Sequence, residues 1–244
     1  MTASESRTDL RRFLLVLACG LVAGALFPSV ANRGLVFVAG MFWINVVFGM
    51  AFNLLFRTSG ILSFGQAMFY AAGAYLLALV ILKMPSMPFL LGLVVAGVVG
   101  AVLAALVGVV ALRRTEGVYF SVLTLAFAEL IHIVITKTTL LGRNDGLTGL
   151  TRPVIEAGPL RLDLAAGDAY YYFVMVACSL LIAVLWVVTR GPFGRAMSAI
   201  RQDPQRADFL GMPVQRYRLI AFAISGAVTA VAGALSAPWL QLVT

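Results

Sequence analysis

The fold is decided by Pro88-Phe-Leu-Leu-Gly-Leu-Val-Val-Ala-Gly-Val-Val-Gly-Ala-Val-Leu-Ala-Ala-Leu-Val-Gly-Val-Val-Ala-Leu112, a stretch without a charged residue. A hydrocarbon core about 30 Å thick is crossed by roughly 20 apolar helical residues, so this stretch is long enough to span a membrane. A strand of a transmembrane barrel would instead alternate apolar and polar residues over about 10 positions. The glycines among Val, Leu and Ala predict close helix packing and offer no chemistry.

Composition extends this conclusion to the whole chain. Of its 244 residues, 61% are hydrophobic and 11% are charged, whereas about 25% of the residues of a typical soluble domain are charged. We therefore predict an all-α fold, a polytopic transmembrane helical bundle that forms one domain over residues 1–244. The seven predicted spans are residues 13–30, 34–56, 62–82, 88–112, 117–136, 169–188 and 219–243.

The basic residues predict the orientation of the bundle. The net charge is +8, but the Lys and Arg residues lie at span ends, which favours anionic lipid headgroups over nucleic acid as their partner. With a cytoplasmic N-terminus, twelve of the 18 Lys and Arg residues fall on the cytoplasmic side and six on the outer side. Because basic loops resist translocation, this bias predicts a multi-pass protein with its N-terminus in the cytoplasm.

The loop at residues 190–218 is strongly basic and also contains apolar residues. Asp203-Pro204 predicts a helix N-cap followed by the first helical position, and Gly211 predicts the end of that helix. The enclosed helix of about seven residues is too short to be stable alone, so it rests on the bundle, on a cytoplasmic protein or, alternatively, on the membrane surface. The side chains expected to contact a partner are Arg201, Arg206, Phe209, Leu210 and Met212.

Polar residues before the third span mark a second candidate site. Ser59-Gly-Ile-Leu-Ser-Phe-Gly-Gln66 has glycines, hydroxyls and an amide where a simple membrane anchor would have Leu and Val. In lipid, such a segment is tolerated only inside protein or beside a watery cavity. Two interpretations are open. One is close helix packing with hydroxyls bonded across the contact, and the other is a broken or re-entrant entry that presents Gln66 to a solute path.

Glu129 and His132 are ionisable residues inside the fifth span. Their i, i+3 spacing puts both on one helix face, and a carboxylate at membrane depth is costly unless it is paired, protonated or hydrated. We expect Glu129 to face the bundle interior with His132 as its partner, either in a pathway or as an ion pair that locks two helices. The full set predicted to line a solute pathway is Asn53, Ser59, Ser63, Gln66, Glu129 and His132.

Two further features of the sequence limit the chemistry that is expected of this chain. Asn144-Asp145-Gly146 predicts a turn on the outer side, which is either a plain surface turn or part of an outer mouth or partner contact. The sequence has no Gly-rich phosphate loop that ends in Gly-Lys-Ser/Thr, and Cys19 and Cys178 both fall in apolar spans. We therefore predict no catalytic residue, no metal site and no cofactor in this chain.

Three stretches together resemble the bacterial inner-membrane permease subunits of ABC importers for branched-chain amino acids, of the LivM type. The first is Gly60-Ile-Leu-Ser-Phe-Gly-Gln-Ala-Met-Phe-Tyr-Ala-Ala-Gly-Ala-Tyr75; the second is residues 117–129 with residues 144–149; the third is residues 194–201 with Gly211 and residues 216–222. The resemblance implies a second homologous permease subunit, two cytoplasmic ATPase subunits that bind ATP, and an external solute-binding protein.

The resemblance also gives the basic loop a role. It is similar to the permease motif Glu-Ala-Ala, three residues, Gly, which docks in a groove of the ATPase. Here Gln205, Arg206 and Ala207 occupy the first three positions, so only the second Ala and Gly211 match. By the resemblance, the residues that couple the chain to the ATPase are Arg201, Asp203, Gln205, Arg206, Ala207, Phe209, Leu210 and Gly211.

The expected function is inward transport of branched-chain or related amino acids, driven by the separate ATPases, with no enzymatic activity in this chain. One alternative is transport of urea or short amides, which related permeases handle. Another is a self-contained channel or ion-driven carrier in which Glu129 and His132 handle protons or cations. Because the family continues beyond the last span with more helices, we also expect a truncated product or a fragment, which as a third alternative would be a non-transporting scaffold.

Overall fold

A computed structural model describes residues 3–114, 117–152, 154–157, 160–164 and 168–244. Within this part of the chain there are nine α-helices and four short strands. The helices are α1 (Ala3–Val30), α2 (Arg33–Asn53), α3 (Gln66–Lys83), α4 (Phe89–Arg114), α5 (Val118–Lys137), α6 (Ala169–Arg190), α7 (Pro192–Gln202), α8 (Pro204–Phe209) and α9 (Val214–Leu240). The strands are β1 (Leu147–Thr148), β2 (Val154–Ala157), β3 (Leu160–Asp163) and β4 (Leu242–Val243).

Seven of the described helices, α1 to α6 and α9, are long and apolar enough to cross a membrane. The predicted helical bundle and its seven spans are therefore confirmed, although α3 begins four residues later and α9 five residues earlier than the pattern indicated. The strands were not predicted. β2 and β3 pair in an antiparallel hairpin, and β1 pairs antiparallel with β4.

The two ends of the bundle differ. Consecutive spans run in opposite directions, so α7, α8 and the connection between α2 and α3 share one end, which we call the basic end. The four strands lie at the opposite end, which we call the hairpin end.

The central element is α9, which packs against α2, α3 and α4 and is the most buried span. Its approach to α3 is close enough to require glycine on both helices. A Cβ atom on Gly73 would clash with the Ala230 carbonyl, and one on Gly233 would clash with the Tyr70 carbonyl. Small residues allow such backbone contacts, and van der Waals packing of this kind holds helices together in lipid.

The glycines of α4 serve packing, as predicted. A Cβ on Gly92 would meet α3, while Cβ atoms on Gly97, Gly100 and Gly108 would meet side chains or backbone of α9. The least covered spans are α1, which contacts α6 and α2, and α5, which contacts α3 and α4. One face of α5 is therefore open along much of its length.

Candidate functional site

An amphipathic helix, α7, fixes the basic loop to the bundle. Pro192 occupies its first turn, where a missing N–H costs no hydrogen bond. Met197 and Ile200 are fully buried in a core that also contains Leu55 and Phe222. This helix was not predicted, although the spacing of Phe193, Met197 and Ile200 is the i, i+4, i+7 pattern that indicates one.

The short helix α8 forms where the sequence predicted it. The Asp203 Oδ1 atom accepts a hydrogen bond from the Arg206 backbone N–H at 2.9 Å, which caps the helix. Gly211 has a φ of +80° and lies just after the last turn, as expected for a glycine that stops a helix. Ala207 is buried against the bundle, so α8 rests on this chain through one small side chain.

The other side of α8 points away from the bundle. The side chains of Phe209 and Leu210 are 93% and 77% exposed. Met212, expected as a third partner contact, instead packs against the bundle core. Gln205 and Arg206 are exposed, and the Arg206 Nε atom lies 3.4 Å from Asp203 Oδ2.

Arg201 makes a contact within the chain. Its Nη1 atom donates a hydrogen bond of 2.5 Å to the carbonyl oxygen of Arg57, and its side chain passes beside Gly60. Arg201 therefore ties α7 to the connection between α2 and α3. A contact from Arg201 to an acidic group of a partner stays a prediction.

The connection between α2 and α3 is irregular. Leu54–Ser59 forms a π-helix, a rare element that is frequent at functional sites; its Thr58 and Ser59 hydroxyls donate to the carbonyls of Leu54 and Leu55. Residues 60–65 contain no helix. Ser63 is buried and accepts a hydrogen bond from the Gly65 N–H at 3.3 Å. The segment thus has a broken geometry, and its polar groups pack inside protein.

Gln66 is the centre of a buried polar network. Its amide nitrogen donates to Ser225 Oγ at 3.1 Å, and its amide oxygen accepts from Thr229 Oγ1 at 3.1 Å. Ser225 in turn donates to the Ala51 carbonyl at 2.7 Å. The amide nitrogen and oxygen are thus both engaged, and the network joins α2, α3 and α9. Ser225 and Thr229 were missed in the sequence, although their i, i+4 spacing in an apolar span was a usable signal.

Glu129 and His132 lie on the open face of α5. Both side chains are exposed, and both line a groove of about 530 Å³ between α3 and α5. The groove walls are mostly apolar and include Met68, Leu125 and Ile131. Among the described residues, neither Glu129 nor His132 has a hydrogen bond or an ion pair of 4.0 Å or less.

The expectation that Glu129 faces the interior of this chain with His132 as its partner is therefore wrong for the single chain. The i, i+3 spacing does place both groups on one face, but that face is uncovered. An ionised side chain at the centre of a span costs about 2.5–3.5 kcal/mol on insertion scales. Exposure at mid-span therefore indicates a face that meets water or another protein.

The six predicted pathway residues do not share one surface. Ser59, Ser63 and Gln66 are buried. Asn53 is exposed at the end of α2, and Glu129 and His132 line the groove on α5. The pathway role of all six stays a prediction.

The predicted turn at the hairpin end is present. Arg143–Asp145 forms a 3₁₀ turn, and Gly146 follows with a φ of +69°. A Cβ on Gly146 would clash with the carbonyl of Val243, so glycine allows the pairing of β1 with β4. Asp145 is exposed, while the side chain of Asn144 lies outside the described part of the structure.

Known proteins identify the family of this chain. The family model described as "Branched-chain amino acid transport system / permease component" matches residues 34–244. The chain is 31% identical over 245 aligned residues to the high-affinity branched-chain amino acid transport system permease protein LivM of Escherichia coli (strain K12), and 31% identical to the LivM of Salmonella typhimurium. It is 27% identical to a probable branched-chain amino acid transport permease protein LivH of Methanocaldococcus jannaschii.

Each alignment covers a larger share of this chain than of the relative. The LivM alignments include 91% and 92% of this chain but 57% and 56% of the relatives, so the chain spans little more than half of their length. The LivH alignment includes 80% of this chain and 62% of the relative. No solved structure matches the chain. The extent of the family match and the identity to both LivM proteins show that the chain belongs to the family of branched-chain amino acid transport system permease components.

Proposed function

We propose that the chain is the transmembrane permease subunit of an ABC importer that moves branched-chain amino acids inward across the bacterial inner (plasma) membrane. Membership of the permease family supports the class, and the names of the LivM relatives support the substrate. In this proposal a second homologous permease subunit completes the pathway, and two cytoplasmic ATPase subunits bind ATP. An external solute-binding protein delivers the amino acid, and this chain itself carries no catalytic group.

The observation that carries the proposal is the exposure of Phe209 and Leu210. Two adjacent large apolar side chains, 93% and 77% exposed at the end of a capped helix, are costly in water. They are also held in place, because α8 is fixed by its Asp203 cap and by the buried Ala207. Such a rigid apolar tip flanked by arginines suits a groove with an apolar floor and an acidic rim on a soluble ATPase.

The contacts of α7 suggest how force would pass from the ATPase into the bundle. A displacement of α8 pulls on α7, to which it is joined through Asp203, and Arg201 links α7 to the Arg57 carbonyl. The π-helix and the irregular residues 60–65 are adjacent to this contact, because Arg57 belongs to the π-helix and the Arg201 side chain passes beside Gly60. Breaks of this kind absorb changes in backbone angles more readily than a regular helix does, so α2 and α3 would tilt relative to each other.

The groove between α3 and α5 supports a pathway shared with a second subunit. It contains Glu129 and His132 at mid-span, and it is open along one side. Polar groups inside a membrane are tolerated where they line a watery cavity or contact protein. In the proposal, the second permease closes the open side and converts the groove into half of a solute pathway.

The test is a double substitution, Phe209→Ala with Leu210→Ala, in the full chain expressed with its genetic neighbours. We expect normal membrane insertion, loss of ATPase copurification and loss of ATP-dependent leucine uptake, because the docking contact is gone. The matched control is Leu14→Ala with Leu15→Ala, which truncates two exposed apolar side chains of α1 and should leave both readouts unchanged. Gly211→Pro should act like the α8 pair, since proline cannot adopt the φ of +80° found at Gly211.

The double variant at Phe209 and Leu210 could instead copurify with the ATPase and show undiminished leucine uptake. That result would show that α8 does not couple the chain to the ATPase. The amount of each variant in the membrane is measured by immunoblot in the same cells. Loss of uptake then cannot be confused with loss of protein.

A further inference from the structure

The side chains of Glu129 and His132 have no partner among the described residues, unlike several other polar side chains of the spans. Gln66, Ser225 and Thr229 bond to one another, and Ser121 and Thr124 bond to backbone carbonyls. Glu129 and His132, one turn apart on α5, form no bond to each other or to any other described residue. A carboxyl group that can accept hydrogen bonds and an imidazole N–H that can donate one thus lie one helical turn apart, with no side-chain partner among the described residues.

Their spacing fits the two charges of one small molecule. Residues at i and i+3 of a helix have Cβ atoms about 5–6 Å apart, so their polar atoms can contact neighbouring groups of a single ligand. A carboxylate binds an ammonium group, and an imidazole N–H binds a carboxylate. Those are the two charged groups on the α-carbon of every amino acid.

Apart from Thr136, Arg143 and Thr244, most of the remaining groove lining is apolar and fits an apolar side chain. Next to Glu129 and His132 the walls are formed by Met68, Leu125, Ile131 and Ile135. The volume of about 530 Å³ lies within the range of roughly 300–1,000 Å³ that is usual for small-molecule sites. Urea and short amides have no net-charged ends and no large apolar part, so they would leave Glu129, His132 and the apolar walls of the groove poorly matched.

We infer that Glu129 and His132 form a clamp for the zwitterionic head of an amino acid, in which Glu129 binds the ammonium group, His132 donates to the carboxylate, and the groove walls between α3 and α5 hold an apolar side chain. The inference rests on the proposed transport function and names the residues that would recognise its substrate. Because the groove is open on one side, the clamp holds the amino acid at the place where the second permease subunit would cover it.

The test uses photo-leucine, a diazirine analogue of leucine, with the purified complex in lipid nanodiscs and without the solute-binding protein. We expect cross-links to residues 125–136, suppressed by leucine at least about tenfold better than by 4-methylpentanoate, which lacks the ammonium, or by 3-methylbutylamine, which lacks the carboxylate. Charged hydrogen bonds of ordinary strength account for a factor of this size. Urea should not suppress the labelling.

The two head-group contacts are separated by two variants. In Glu129→Gln, leucine and 4-methylpentanoate should become equally effective competitors, while in His132→Phe leucine and 3-methylbutylamine should become equal. The matched control is Tyr119→Phe, which alters a side chain on the same helix that is 78% exposed and outside the groove; it should keep the full preference for leucine. Size-exclusion profiles of the complexes report whether each variant is intact.

Two results overturn the clamp alone. The first is a wild-type complex that takes up leucine with ATP in proteoliposomes but gives no cross-link on α5 in nanodiscs. The second is an intact Glu129→Gln complex that still prefers leucine over 4-methylpentanoate by about tenfold. A wild-type complex that takes up no leucine when supplied with ATP and binding protein overturns the proposed function, and the substrate assigned to the clamp with it.

Discussion

At the scale of single residues, the hydrogen bonds of Gln66 favour the packing interpretation of this side chain over a role in a solute path. Its position before the third span allowed both a role in a solute path and a role in packing. In the structure, its amide nitrogen and oxygen are engaged by Ser225 and Thr229, and its side chain is 3% exposed. We therefore expect Gln66 to hold α3 against α9, with no contact to solute.

A double-mutant cycle tests this role of Gln66. Gln66→Met and Thr229→Val remove the hydrogen bond while keeping side-chain volume, and the coupling free energy should be about 0.6–1.7 kcal/mol, the range found for side-chain hydrogen bonds between membrane helices. Stability is measured by unfolding in detergent micelles. Gln215→Met, which changes an exposed glutamine of α9, should have little effect. A coupling free energy of zero together with abolished uptake in Gln66→Met would instead support a role of Gln66 in the solute pathway.

At the scale of elements, local sequence patterns were sufficient to predict α8, but they were insufficient to predict which face of α5 is covered. Asp203-Pro204 and Gly211 start and stop the helix through local backbone effects. Their pattern therefore predicted the bounds of α8 to within about one residue. The exposure of Glu129 depends on which neighbours cover α5, and no pattern within α5 carries that information. The helix α7 was predictable from its apolar spacing, because Phe193, Met197 and Ile200 follow a helical period.

The N-cap of α8 can be separated from the charge of Asp203. Asp203→Ala removes the acceptor for the Arg206 N–H and should destabilise the short helix by about 0.5–2 kcal/mol, whereas Asp203→Asn keeps a good cap without the charge. The exposed contact between Arg206 and Asp203 contributes little. We expect reduced leucine uptake and ATPase copurification for Asp203→Ala and near-normal values for Asp203→Asn. Equal losses in both variants would show that the carboxylate charge matters, and not the cap.

At the scale of the whole molecule, the predicted coupling residues and the groove lined by Glu129 and His132 lie on different parts of one bundle. The basic end carries α7 and α8, whereas the groove runs along α5 from Leu125 to Thr136 toward the hairpin end. Helix α9 runs through the centre in contact with both α3 and α4. Movement at the basic end can therefore reach the groove through the Arg201 link to the α2–α3 connection and the close packing of Gly73 against α9. The proposed coupling to an ATPase requires the basic end to face the compartment that contains ATP.

The orientation can be tested with two matched thiols. In a background with Cys19→Ser and Cys178→Ala, Ser198→Cys introduces a thiol on the exposed side of α7, and Thr148→Cys introduces one on the exposed side of β1. Neither change alters the twelve-to-six distribution of Lys and Arg, which predicts that the basic end stays inside. A membrane-impermeant maleimide should label Thr148→Cys in intact spheroplasts and Ser198→Cys only after permeabilisation. Labelling of Ser198→Cys in intact spheroplasts would place α8 outside the cell, where no ATPase could reach it, and the coupling proposal would fail with the orientation.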